Sequence, residues 1–172
     1  MIGVRRIGAL AMQFVAIVYL TVVVSLLFWS HAPSLIGWQP RVVLSGSMMP
    51  TIAPGDVTVI APARVGPATL PPGRVVLVRD ASKASGYYLH RLVSYEANGV
   101  VITKGDANQN NDSDTVAPES VRGELRLVVP MVGRPVIWMQ EHDYLALLLV
   151  ALGTWASLSI VLGGYQRSYA AA

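Results

Sequence analysis

The chain has no cysteine, only two lysines (Lys83 and Lys104), and just 13% charged residues among 172. Without cysteine there are no disulfides, no thiolate metal sites and no cysteine nucleophile, although neither the cytosol nor a bacterial exterior is excluded. The other basic residues are arginines scattered singly, so a net charge of +3 comes with no basic run or helix face and does not point to nucleic acid. There is no convincing internal repeat.

What the chain does have is apolar length. With 53% hydrophobic residues and a mean hydropathy of +0.49, it is too apolar for an ordinary soluble domain, and membrane segments are expected. Residues 7–29 carry no charge and are long enough to cross a hydrocarbon core of about 30 Å. A cleavable signal peptide competes, given Arg5-Arg6 and the Ser30-His31-Ala32 triplet. The apolar run exceeds an ordinary h-region, and Pro33 follows the would-be cut, so the segment reads as a permanent first transmembrane helix. A second uncharged run lies between Asp143 and Arg167 and gives a second transmembrane helix over 143–165.

Between the helices the texture changes. Residues 30–40, which contain Pro33, Gly37 and Pro40, with Trp29 and Trp38 suited to a membrane interface, read as a juxtamembrane connector. From Arg41, short β-branched runs alternate with Pro and Gly: 57–60, 74–79, 87–95, 100–104 and 122–129. Residues 41–142 are therefore expected to form a small all-β domain. Asn98-Gly99 predicts a hairpin, Pro54-Gly55-Asp56 a tight turn, and residues 61–72 a Pro-rich loop. Arg5, Arg6 and Arg167 place residues 1–6 and 166–172 in the cytoplasm by the positive-inside tendency, with the β domain outside.

The candidate chemistry begins at Ser45-Gly46-Ser47-Met48-Met49-Pro50-Thr51. A serine hydroxyl is a poor nucleophile until a neighbouring base takes its proton. His31 and His142 lie at the inferred membrane boundaries, whereas His90 sits in the strand-like run Tyr87-Tyr88-Leu89-His90-Arg91. Downstream, Asp106, Asp112 and Asp114 occupy one polar stretch, and a carboxylate there would hold a histidine in the required tautomer. Asp106, Asn108 and Asn110 also copy the first ligands of a calcium loop. The copy fails because Asn111 stands where the sharp-turn glycine belongs and Ala117 where the bidentate glutamate belongs. No metal or other cofactor is indicated.

Taken together, Ser-Gly-Ser-Met-Met-Pro-Thr at 45–51, Pro-Gly-Asp at 54–56, Gly-Arg-Val-Val at 73–76, His90-Arg91 and Lys104-Gly105-Asp106 through Asp112 resemble type I signal peptidases. The likeness is to the endoplasmic-reticulum-type branch, also found in archaea and some Gram-positive bacteria, in which His replaces the general-base Lys. It implies a signal-peptidase/LexA-like β fold, a membrane-bound serine endopeptidase, and cleavage of secretory preproteins after small residues in an Ala-X-Ala-like pattern. It further implies Ser47 as nucleophile, His90 as base, Asp112 as third member, Asp106 as a second important carboxylate and Ser45 as an oxyanion donor. Ala107 departs from the Asn of many relatives and leaves the roles of Asp106 and Asp112 open.

A histidine base implies activity rising through about pH 6 to 7. The alternatives are a Ser-Lys dyad using Lys83 or Lys104, and a membrane-anchored β module that binds exported proteins without cutting them. Substrate range and partner subunits stay open.

Overall fold

The computed structural model describes residues 2–63, 70–80, 82, 86–96 and 99–169. The described chain divides into a helical unit, 1–28 with 138–172, and a β unit, 29–137.

The helical unit contains most of α1 (Ile2–His31) and all of α3 (Tyr144–Tyr169). At 1.5 Å per residue these helices run about 45 and 39 Å, enough to cross a membrane. Their membrane-length stretches have mean hydropathies of 2.4 and 2.3. Side chains such as Ile7, Phe14, Val24, Leu148 and Trp155 are exposed, so each helix is apolar on faces left uncovered by the described residues. Between the helices, the Tyr19 hydroxyl and Thr154 Oγ1 lie 2.9 Å apart.

The β unit is one curled antiparallel sheet of six strands: β1 (Gln39–Val42), β2 (Val57–Ala61), β3 (Val75–Arg79), β4 (Tyr87–Tyr95), β5 (Val101–Lys104) and β6 (Val121–Val129). Their spatial order is β1-β2-β6-β3-β4-β5. Five of the six are the β-branched runs expected from sequence. β1 lies within and just beyond the stretch expected to be a connector. It is an edge strand, where Pro40 removes a donor at little cost. A short helix, α2 (Arg134–Gln140), was also not expected. The β4–β5 hairpin closes through Glu96 and Gly99, while Asn98 of its expected turn, and residues 64–69 of the Pro-rich loop, lie outside the described residues.

Alternation along β3 explains the two apolar clusters. Val76 and Val78 join Leu70, Leu92, Val101, Val116 and Val121. Val75 instead joins Val43, Met48 and Ile52. Full burial of each such side chain stabilises by about 1.5 to 3 kcal/mol before entropy is counted. The second cluster matters most for function, because Met48 and Ile52 flank the candidate serine segment.

The Pro54-Gly55-Asp56 turn is fastened at several points. Asp56 accepts from the amides of Ala53 at 2.9 Å and Met131 at 3.1 Å. Gly55 has φ +93°, a backbone conformation that favours glycine, and a Cβ there would also press on the Arg134 side chain.

Candidate active site

Val43 and Met48 are buried on either side of Ser45-Gly46-Ser47, and Ile52 is buried one turn beyond. The Ile52 amide donates to the Met48 carbonyl at 2.9 Å and the Met49 amide to Gly46 at 3.0 Å, which curls the segment tightly. Apolar anchoring of the ends leaves the serines between them at the protein surface: Ser45 is exposed and Ser47 half-buried. Both line a cleft of about 690 Å³ together with Leu77, His90, Asn108 and Asp112.

The loop after β5 is tied to this turn. The Ala107 amide donates to the Ser47 carbonyl at 3.0 Å, and the Asn108 amide to the Gly105 carbonyl at 3.0 Å. A Cβ on Gly105 would lie 2.7 Å from the Ser47 carbonyl oxygen and 3.1 Å from His90 Nε2. Ser47 and His90 thus converge on the same glycine from two different parts of the chain.

His90 projects from β4 with its other nitrogen engaged. Nδ1 is 2.5 Å from Asp112 Oδ2, and the two side chains are only 13% and 17% exposed. Asp112 is positioned by the backbone, its amide donating to the Thr103 carbonyl at 2.9 Å, and by the Thr103 hydroxyl, which donates to Oδ2 at 2.6 Å. An imidazole whose Nδ1–H is held by a carboxylate presents Nε2 as a proton acceptor, the tautomer general-base chemistry needs.

Asp106 is placed differently. Its oxygens accept from Arg91 Nε at 2.8 Å and Nη2 at 2.6 Å, while Nη1 donates to the Gly73 carbonyl at 2.7 Å. Arg91 hydrogen bonding, a further bond from Thr51 and the charges of Arg91 and His90 hold the Asp106 carboxyl below its ordinary range, against an opposing effect of burial. The same pairing raises the Arg91 guanidinium further. The two carboxylates that sequence left undivided are therefore separated in space. Asp112 faces the imidazole, and Asp106 braces the loop against β4 and the turn.

Of the other candidates, Lys104 ends β5 and is not part of the cleft lining, and Lys83 lies outside the described residues. His31 Nδ1 is 2.7 Å from Ser30 Oγ, and the His142 ring packs edge-on to Tyr144. Sequence reasoning missed Thr103 and Tyr88. Tyr88 precedes His90 by two residues, so strand alternation puts both rings on one face, where they meet edge-on at 4.9 Å. That spacing was the available signal.

No protein-family model matches the chain, and no curated protein does either.

Proposed function

We propose that the protein is a membrane-bound serine endopeptidase that removes signal peptides from exported preproteins. The observation that carries the reading is the 2.5 Å contact of His90 Nδ1 with Asp112, with Nε2 on the side of the Ser47 turn. The motif resemblance to Ser-His type I signal peptidases adds the substrate class.

In this mechanism Ser47 attacks the carbonyl carbon of the scissile bond as His90 Nε2 takes the hydroxyl proton. The tetrahedral intermediate collapses as His90 returns that proton to the leaving amine, giving an acyl-enzyme and the mature protein. Water, deprotonated by His90, then releases the signal peptide and restores Ser47. Asp112 keeps the imidazole oriented and balances its transient positive charge. Ser45 and the Ser47 amide serve as donors to the oxyanion, each worth roughly 3 to 4 kcal/mol in sites of this type.

The rest of the architecture fits that task. An extended substrate lies along the cleft beside the Ser45 segment, its backbone pairing as an added strand. Two apolar helices anchor the enzyme in the bilayer with both termini cytoplasmic and the β unit outside, at the surface where cleavage sites emerge. Secretory preproteins and lipid are its partners. Incubating purified protein with a signal-bearing preprotein, and mapping the products by mass spectrometry, tests the reading. A single cut after a small residue supports it, and an intact substrate opposes it.

A further inference from the structure

We propose that Thr103 is a positioning residue for this reaction, holding Asp112 in the one orientation that serves His90. The proposal rests on the peptidase reading for its catalytic consequence, but the hydrogen-bond chain itself stands on geometry.

Thr103 is fully buried, on the inward face of β5 that it shares with Val101. A valine would fill that place with the same branched shape and no polar group to satisfy. The hydroxyl instead donates to Asp112 Oδ2 at 2.6 Å, the same oxygen that His90 Nδ1 reaches at 2.5 Å. One carboxylate oxygen is thereby held between two donors. Rotation of Asp112 would break both bonds at once.

Donor counting fixes the direction of the bond to Asp112. A threonine hydroxyl has a single proton, and this one is committed to Asp112. Burial, followed by the charges of Asp112, Asp80 and Asp114, pushes the Tyr88 phenol above its ordinary value. The phenol therefore stays neutral beside the imidazole it meets edge-on. The chain runs from Thr103 to Asp112, where it meets His90.

The Thr103 donation also draws charge away from the oxygen that faces the imidazole. Without it, Asp112 presents a more concentrated negative charge, protonated His90 is better stabilised, and more acid is retained on the base at a given pH. The other charged or titratable groups around His90 are Tyr88 on the same strand, Asp106 paired with Arg91, and Arg41, Asp80, Tyr87 and Asp114 along the same cleft. The Ser45–Met49 turn contributes no ionisable side chain.

The test uses the full chain in detergent with a signal-bearing preprotein, comparing wild type, Thr103→Val, Thr103→Ser and Ser47→Ala. Thr103→Val is expected to lower kcat by about tenfold or more, with KM little changed, for one lost bond to a charged group. The acid limb of its kcat/KM profile should move to higher pH. Thr103→Ser, which keeps the hydroxyl, should stay within about threefold of wild type with an unmoved limb. Thr103→Val with wild-type kcat and an unmoved acid limb overturns the proposal, as does a Thr103→Ser loss as large as that of Thr103→Val. The proton resonance of His90 Nδ1 gives a readout independent of turnover: it should shift in Thr103→Val and not in Thr103→Ser, and no shift in either contradicts the proposal. Processing that persists in Ser47→Ala would instead defeat the peptidase reading, and the resonance would still decide the role of Thr103.

Discussion

Arg91 grips Asp106 with two parallel hydrogen bonds of 2.8 and 2.6 Å while its third nitrogen reaches the Gly73 carbonyl at 2.7 Å. One guanidinium, on the residue next to His90, thus fastens the loop that carries Gly105 and Asp112 to the strand that carries the base. Planar, forked geometry makes arginine suited to this and lysine not.

The pairing has a pH signature. Asp106 titrates below its ordinary value, chiefly because of Arg91. Its stabilising contribution is therefore complete above the ordinary carboxylate range and is lost as pH falls through the depressed value. Asp106→Asn is expected to lose about 1 to 2 kcal/mol near neutrality, at the low end for a charged bond because Arg91 is 34% exposed and solvent screens it. Thermal unfolding from pH 7 to 3 checks this. The gap between wild type and variant should hold steady down to about pH 4 and narrow below it.

Replacing Asp112 by Asn should leave the fold intact and remove the negative charge that holds and stabilises the His90 imidazole. A kcat loss of roughly 10³- to 10⁴-fold is expected, the scale seen when a triad carboxylate is neutralised elsewhere. Steady-state cleavage kinetics with a circular dichroism control measure it. Asp106→Asn should lose far less in kcat, since Asp106 does not touch the imidazole.

Gly105→Ala places a methyl 2.7 Å from a backbone oxygen and 3.1 Å from His90 Nε2. Real Cβ atoms do not approach backbone that closely, so the Ser47 turn and the imidazole must separate. Overpacking of this kind costs about 1 to 3 kcal/mol, and the displaced nucleophile should cut activity by at least tenfold. Parallel denaturation and activity measurements would show activity falling while most molecules remain folded.

Leu92 is fully buried in the cluster behind His90 and sits opposite Thr103 across the β4–β5 pair. Leu92→Ala should destabilise the β unit by about 2 to 5 kcal/mol, the range for a buried leucine. A urea titration followed by tryptophan fluorescence reads that loss directly.

Much of the sheet was legible because its strands are β-branched runs bounded by Pro and Gly. β1 was not, since a four-residue edge strand containing Pro40 pairs on one side only and has no period of its own. α2 was hidden for a related reason: seven residues beginning Arg134-Pro135 are too few to show a helical repeat. At the site, chain order suggested Ser47, His90 and an aspartate, and the structure brings Ser47, His90 and Asp112 to one cleft. It could not divide Asp106 from Asp112. Both belong to one polar loop, and which carboxylate faces the imidazole depends on how that loop folds back over β5. Thr103 was overlooked because a threonine in a strand is ordinarily a packing residue.

The most direct test of the central claim is cleavage of a signal-bearing preprotein in cells whose only copy of this protein carries Ser47→Ala. Loss of processing, with the variant protein present at wild-type level in the membrane fraction, is the predicted result. Mature product accumulating at the wild-type rate would contradict the account.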